Sequence, residues 1–496
     1  MKRCALILVL LAMATPALAV WLPPVRLTDG PNQNINPFLS MQDYERPNYD
    51  DICLVWQRSR TGGWDIYSRM TNGLDTLWAS PVLVSSLADS NLTPAVANYG
   101  QRRYCVWVNC HGDSQNVLCS RWTGSAWGPP VYLTQDTFPD VSPTVWCHRT
   151  ADTTWVAWAS FRNGRWDLYS RFYNGTSWSP EIPVVENLGN NRSPRLFKLP
   201  GVYSPPQYLS LVWQSDAYGN SDILLSRYQG GAWSAPIRVT TGPQSDIQPS
   251  PVRGFIQQSL QYRVTLDWAS DSLGNYEVWG TSTDSLISRE RLTSHSAVDN
   301  EPSAVDFFII VNQPLLNHPL LTAWTSDRDG NRNIYAEYLY SLDAVDTSSA
   351  DDLHPQTAAV ARLAGYLTLR FWVVWQSSRD GNWNLYGSSK LLVWQAVEEN
   401  KASLPVDKQR LAIYPTPYRP GAPLLLSLPR TGLEVVLHFY DLKGGLVSRQ
   451  VAGRKASGLY QATWDGRDAQ GNPLPSGLYF LRAEGAPALY RMILLR

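Results

Sequence analysis

The sequence predicts an all-β chain, a seven-bladed β-propeller followed by a small β-sandwich, from two periodic markers and one change of composition. The first marker is WTSDRDGNRNIY at Trp324–Tyr335. Versions of it recur as LVWQRSRTGGWDIYSR at Leu54–Arg69, VAWASFRNGRWDLYSR at Val156–Arg171 and LVWQSDAYGNSDILLSR at Leu211–Arg227. LDWASDSLGNYEVWG at Leu266–Gly280 and VVWQSSRDGNWNLYG at Val373–Gly387 continue the series, and CVWVNCHGDSQNVLCSR at Cys105–Arg121 is a degenerate copy. The anchoring tryptophans Trp56, Trp107, Trp158, Trp213, Trp268, Trp324 and Trp375 are spaced by 51, 51, 55, 55, 56 and 51 residues. The second marker, an Asn or Asp three residues before a Pro, precedes each of them: Asn34/Pro37, Asn91/Pro94, Asp140/Pro143, Asn191/Pro194, Asp246/Pro249, Asp299/Pro302 and Asp352/Pro355.

Each copy reads as a β-hairpin. β-branched and aromatic residues run up to the Trp, Gly, Asn and Asp supply a turn tolerant of positive φ, and an alternating apolar run returns. One hairpin cannot bury its apolar face alone, so repeated near-copies imply stacked units around a shared core. In the third copy four strands are expected: one near Pro143–His148, then Trp155–Ser160, Trp166–Tyr173, and a fourth after Trp178 ending near Val184 and Val185. The second and fourth copies end alike, at Val131–Thr134 and Ile237–Thr240.

The N-terminus fits this scheme. Pro24–Asp29 looks like the end of a fourth strand with no repeat before it, while the seventh repeat has no such ending after Tyr386. A closed ring joins the two, which removes exposed sheet edges. Leu391–Val397 competes for the same slot. The polar stretch 342–356 reads as an exposed loop.

Residues 1–19, with a Lys-Arg start, an apolar run from Ala5 to Met13 and Ala17-Leu18-Ala19 before Val20, read as a cleavable secretory signal. No later stretch is long and apolar enough to span a bilayer, so no membrane insertion is expected. Lys plus Arg equals Asp plus Glu at 42 each, which gives no net field toward nucleic acid. After the signal, Cys53, Cys105, Cys110, Cys119 and Cys147 remain, an odd number. Buried free thiols account for most of them; Cys110 and Cys119 flank one hairpin turn, slightly out of register, which leaves a bridge there open.

The propeller is placed at 20–397 and a polar linker at 398–410. From Leu411 the Trp pattern stops, and about seven short strands in the stretch to Arg496 argue for a small β-sandwich. YPTPYRPGAPLLLSLP, FYDLKGGLV, WDGRDAQGNPLPSGLYFLR and RMILLR follow in order. This stretch resembles the C-terminal sorting domains of type IX secretion cargo and is similar to the immunoglobulin-like domain of flagellar hook-capping proteins. Thr416 stands where that pattern usually has Asn. The resemblance implies an immunoglobulin-like sandwich, export across an outer membrane, and a sorting signal at Tyr490, Arg491, Met492, Ile493, Leu494, Leu495 and Arg496, with the export machinery as partner. SDRDGNRNIY and SSRDGNWNLY resemble turns of Tol-system propellers and of sialidase-like propellers, although Asp329 and Gly330 are adjacent, unlike Asp-box spacing. No sialidase arginine element is present to map.

Chemistry is sparse. Asp327, Asp329, Asn331 and Asn333 are turn-formers first and a cation loop only as an alternative, because other copies lose the carboxylates (Arg162-Asn163-Gly164). His111, His148, His295, His318 and His354 are scattered over different repeats, as are Glu181, Glu277, Glu290, Glu301 and Glu337. No nucleophile elbow, phosphate loop or metal-binding His pair occurs, so no cofactor and no metal site are expected. The residues chosen as a site follow the hairpin turn: Trp64, Trp166, Tyr276 and Trp383, with Ser221 and Arg332 at the equivalent places. Such rings beside Asp65, Asp167, Glu277 and Asn384 suit sugar faces; packing between blades is the plainer reading. The expected role is a secreted or cell-surface monomer that binds or scaffolds without catalysis, taking a glycan or a surface protein. The alternative is a sialidase-like glycan hydrolase or lyase.

Overall fold

A computed structural model of the chain describes residues 20–494 apart from 41–50, 86, 100–101, 149–151, 199–208, 257–260, 283–288, 306–320, 339–340, 364–365, 396–411, 415–417, 419, 421–422, 428–433, 442–443, 457–458 and 485–489. The signal segment and the linker at 398–410 therefore lie outside the described residues. Among the described residues there is no helix, and strands form antiparallel sheets throughout. The chain divides into a first compact unit up to Val397 and a second from Glu398.

Among the described residues the first unit holds seven sheets in chain order, six of four strands and one, the fourth, of five. Their inner strands are Asn34–Ser40, Ser90–Tyr99, Asp140–Cys147, Asn191–Lys198, Asp246–Ile256, Asp299–Val305 and Asp352–Leu363. Each inner strand lies beside the next, and the seventh lies beside the first. This is a propeller-like arrangement. In the third sheet the strands are Asp140–Cys147, Thr154–Arg162, Arg165–Tyr173 and Ile182–Val185, each hydrogen-bonded to its predecessor. The second strand of every sheet carries the anchoring Trp, and all seven are buried. Across the hairpin these face Tyr67, Leu118, Tyr169, Leu224, Trp279, Tyr335 and Tyr386.

The seventh sheet begins with the N-terminus. Val25 pairs with Gly387 and Arg26 with Tyr386. Leu27 N–H donates to the Leu385 carbonyl at 2.7 Å, and the Thr28 hydroxyl accepts from Leu385 N–H at 2.9 Å. Leu27 is buried against Ala358, Val374 and Leu385. Gly387 makes room for it: a Cβ there would stand 2.9 Å from Leu27 Cδ1. Leu391, the other candidate for this slot, instead prolongs the strand Asn384–Gln395 and pairs with Arg370.

The stretch 342–356 corrects a sequence expectation. It forms the outer strand Ser341–Asp346 and the start of the inner strand Asp352–Leu363 rather than a loop. Val345 is buried and supplies the apolar contact, so one inward side chain suffices to dock an otherwise polar edge strand. The open question at Cys110 and Cys119 resolves against a bridge: both are free thiols, Cys110 facing Gln115 and Cys119 facing Val106.

The second unit is one hydrogen-bonded series of seven strands over a single core that includes Leu424, Leu437, Phe439, Trp464, Leu481, Met492 and Leu494. A parallel bridge between Tyr418 and Leu494 brings the two ends of the series together. The last strand, Tyr490–Leu494, pairs with Gly477–Leu481.

Truncating Leu27 tests the closure. Leu27→Ala should cost about 2–5 kcal/mol in denaturant unfolding and speed amide exchange at Leu385 and Gly387. Unchanged exchange at those two amides would show that the N-terminal strand does not hold the seventh sheet.

Candidate functional site

The edge of the first unit where each inner strand begins also carries the hairpin turns after the anchoring Trp, because Asn34 pairs with Arg58 and Asp140 with Ser160, near the ends of their second strands. Here the second marker acquires its geometry. In each repeat the residue before the proline has positive φ: Asn36, Thr93, Ser142, Ser193, Gln248, Glu301 and His354, all between 47° and 56°. Each sits in a shift of the strand register, a β-bulge. Non-glycine residues rarely adopt this conformation, so seven in phase reflect a common constraint.

Two sets of hydrogen bonds supply it outside the third sheet, where the Trp158 indole N–H has no acceptor among the described residues. First, the marker side chain caps the indole below: Trp56, Trp107, Trp213 and Trp268 donate Nε1–H to Asn34, Asn91, Asn191 and Asp246 at 2.8–3.0 Å. In the sixth and seventh sheets the marker takes an arginine instead, Arg328 on Asp299 at 3.0 Å and Arg379 on Asp352 at 3.2 Å. Second, the bulge turns its own N–H toward the preceding sheet. Gln376 accepts from Asn36, Gln57 from Thr93, Gln214 from Gln248, Gln248 from Glu301 and Glu301 from His354, at 2.7–3.0 Å. Glu301 also pairs with the His354 ring at 2.7 Å. Burial raises the Glu301 carboxyl pKa, but the bonds and charge of His354 outweigh it and hold the group below its usual value.

This chain of bonds is interrupted toward Ser142 and Ser193, where the residues after the anchoring Trp are Val108 and Ala159 and offer no acceptor. One strand position below the bulge of the fourth sheet lies Arg195. Its guanidinium stacks over Phe38 of the first sheet, 5.6 Å from the ring centre, and has no ion-pair or hydrogen-bond partner among the described residues. It is half-buried, hemmed in yet reached by water, and burial lowers its pKa. Of the equivalent positions, three are small hydroxyls that bond across to the next inner strand, Thr144 to Leu196 N–H at 3.2 Å, Ser250 to Ala304 N–H at 3.0 Å and Ser303 to Thr357 N–H at 3.0 Å, and the others are Phe38, Ala95 and Gln356.

Trp64, Trp166, Tyr276 and Trp383 lie on this same edge, all half-buried. Their backbones clasp the next sheet: the carbonyls of Trp64 and Trp166 accept from Asn91 and Asn191 Nδ2, and those of Tyr276 and Trp383 from Asp299 and Asn34 N–H, at 2.7–3.1 Å. Ser221 and Arg332 do the same with Asp246 and Asp352, both at 2.7 Å. The Trp166 ring packs on Phe161 and carries Arg192 at 5.1 Å. Among the described residues no ring contact joins any two of the four. Trp64 and Trp383 nevertheless belong to neighbouring sheets.

Other candidates serve the scaffold. Asp329 and Asp380 accept from Asn333 and Asn384 and from the hydroxyls of Tyr335 and Tyr386, which ties each hairpin to its own turn. Glu181 pairs with Arg162 at 2.6 Å and Glu277 with Arg291 at 2.7 Å. Glu337, in the sixth sheet, is pushed up to about 7 by burial and then by Glu290 of the fifth. His111 pairs with Asp89 at 2.9 Å, whereas His318 lies outside the described residues. Among the described residues no three His, Cys, Asp or Glu side chains cluster as metal ligands. Of the C-terminal stretch, Met492 and Leu494 are buried in the core of the second unit, and Leu495 and Arg496 lie outside the described residues.

Together these define a propeller-like all-β unit followed by an immunoglobulin-like one. Residues 420–488 match the FlgD Ig-like domain. No curated protein matches the chain. Among solved structures it is similar to a fungal alcohol oxidase of the AA5 family in complex with copper, at 10% identity over 96% of this chain and 100% of that one, TM-score 0.41. It is also similar to Trypanosoma rangeli sialidase in complex with sialic acid, at 10% identity over 92% and 83%, TM-score 0.40. A third is the hemagglutinin-neuraminidase ectodomain of parainfluenza virus 5, at 6% identity over 75% and 84%, TM-score 0.41. At these identities no activity passes from them to this chain.

The third sheet allows a pH test. Burial raises the Asp140 carboxyl to about 6, despite the Ser160 and Thr134 hydroxyls that lower it. Between pH 4 and 6 the native state keeps a proton that the unfolded chain, with a carboxyl near ~3.9, has released, so stability from this group falls as pH rises. Asp140→Asn, which restores the residue type of Asn34 and Asn91, should raise the melting temperature at pH 7.5 and leave it almost unchanged at pH 4. An equal shift at both pH values would contradict the buried charge.

Proposed function

We propose that the seven sheets are the blades of one closed propeller in an exported protein, and that the protein binds rather than catalyses. The edge carrying the bulges is its ligand face, and the ligand is a carbohydrate bearing a carboxylate or sulfate. One observation carries this reading: Arg195, a cation without a hydrogen-bond or ion-pair partner among the described residues, sits among inner strands where Asp299, Glu301 and Asp352 are already paired. An unpaired guanidinium in a confined, wetted site favours a bidentate anion. The half-buried rings of Trp64 and Trp383 on the same edge offer flat faces for the sugar.

The C-terminal unit is the address in this proposal, a sorting domain of the type IX kind that delivers the chain to the cell surface. Burial of Met492 and Leu494 supports a sorting signal read as part of a folded strand, not as a free tail. Fusing residues 411–496 to an exported reporter in a host with that system should place the reporter on the surface; retention in the periplasm would overturn the sorting role.

The hydrolase alternative has one specific support, the Glu337 and Glu290 pair. A carboxyl poised at about 7 beside a second is the arrangement acid–base hydrolysis needs. Both residues lie on outer and third strands, away from the bulge edge, which favours binding there.

The deciding experiment is a glycan array with Arg195→Gln and with Trp64→Ala and Trp383→Ala. The arginine change should abolish binding of acidic glycans. Loss of both rings, at about 1–2 kcal/mol each by analogy with other aromatic contacts, should weaken it at least tenfold. A melting temperature lowered by the ring changes with binding intact would make the rings core and refute the sugar face.

A further inference from the structure

A second concave site lies on the opposite edge, between the second and third sheets. Its origin is one residue. The turns between third and outer strands carry a repeated aromatic, and each reaches back to the preceding sheet. Trp127 donates its indole N–H to Ser68 at 2.8 Å and Trp233 to Ser170 at 2.9 Å. Both serines hold the same place: Ser68 faces Val55 and Val82, and Ser170 faces Ala157 and Ile182. For Trp178 the matching place, facing Val106 and Val131, is Cys119. A buried thiol is a poor acceptor, and this one bonds weakly to the Ser120 carbonyl at 3.9 Å. Trp178 makes no hydrogen bond to it, and a cavity of about 470 Å³ opens there.

The lining combines flat apolar faces with an unspent donor. Tyr104, Trp122, Tyr173 and Trp178 supply the rings. The indole N–H of Trp178 has no hydrogen-bond partner among the described residues, whereas that of Trp122 is fully buried and faces no open space. Arg121, also on the wall, is held by Asp152 at 3.1 Å, a carboxylate that Arg102 approaches at 3.8 Å, so its guanidinium is already engaged within the protein. A volume in the range of small-molecule sites, about 300–1,000 Å³, fits one or two sugar rings. A purely apolar guest would leave the Trp178 indole N–H unmet, at the cost of a buried unsatisfied donor.

We propose that this cavity binds an uncharged pyranose, stacked on the aromatic wall and accepting from the Trp178 indole N–H through a hydroxyl. The proposal stands apart from the acidic ligand of the bulge edge, because neither Arg195 nor the rings there contribute to it.

The test uses the full chain and a panel of methyl α- and β-glycosides of glucose, galactose and mannose, read by saturation-transfer NMR. Wild type should transfer to ring protons of at least one sugar. Cys119→Ser supplies the missing hydroxyl, so Trp178 should dock as Trp127 does, raise the melting temperature and weaken the sugar at least tenfold. Trp178→Ala should abolish transfer, while Arg195→Gln should leave it unchanged. Should Trp178→Ala fail to fold, the near-isosteric serine change decides alone. Absence of transfer from every glycoside in wild type, or full binding retained by Cys119→Ser, overturns the proposal. Binding of free indole with no sugar bound would also overturn it, and would assign the cavity to an aromatic side chain.

Discussion

The first unit leans on a buried polar group that is satisfied in four of its seven sheets, the indole N–H of the anchoring tryptophan; those of Trp158, Trp324 and Trp375 find no acceptor among the described residues. A Trp ring fills the space between sheets, but its N–H needs an acceptor there or costs stability. Asn34, Asn91, Asn191 and Asp246 provide it from the start of the adjacent inner strand. Placing that side chain over the ring bends the strand at once into the bulge, and the bulge turns an N–H toward the neighbouring sheet. A local requirement of one side chain thus becomes a contact between sheets.

The same logic explains where the structure departs from its own pattern. Where Gln57 and Gln376 are replaced by Val108 and Ala159, the cross-sheet bond is missing. Where Ser68 and Ser170 are replaced by Cys119, the outer indole loses its partner. Repetition makes these departures interpretable, since the neighbouring copies show what a closed position looks like. Both fall around the second to fourth sheets.

Much of the architecture was legible because its signals are local. Trp with a following Gly or Asn turn marks each hairpin, and Pro24–Asp29 could be matched to a missing strand by its likeness to Val131–Thr134. The stretch 342–356 misled because its polarity is that of an edge strand held by a single buried Val345, and composition does not separate that from a loop. The Asx–Pro marker was readable as a turn, but not the left-handed residue inside it, whose partner lies far along the chain, as Gln57 does for Thr93. Trp64 and Trp383 were picked for their rings, whereas what the structure shows of them most firmly is a backbone clasp that any residue could make, as Ser221 and Arg332 do. Arg195 and Cys119 carried no sequence signal of their own. They stand out only by comparison with the equivalent positions in other sheets.

The pairing of Val25 with Gly387 also dictates an order of events during synthesis. Earlier sheets are built from contiguous chain and can form as they emerge, each within a few dozen residues. The seventh must wait for its own segment and then find a strand made some 360 residues earlier, as the Thr28 and Leu385 contact across 357 positions shows. Closing so large a loop costs about 2–3 kcal/mol more than closing a hairpin-sized one, by the logarithmic growth of chain entropy. A strand translated before all seven sheets is therefore the last to settle, and until it does the final sheet keeps an open edge that any strand could join.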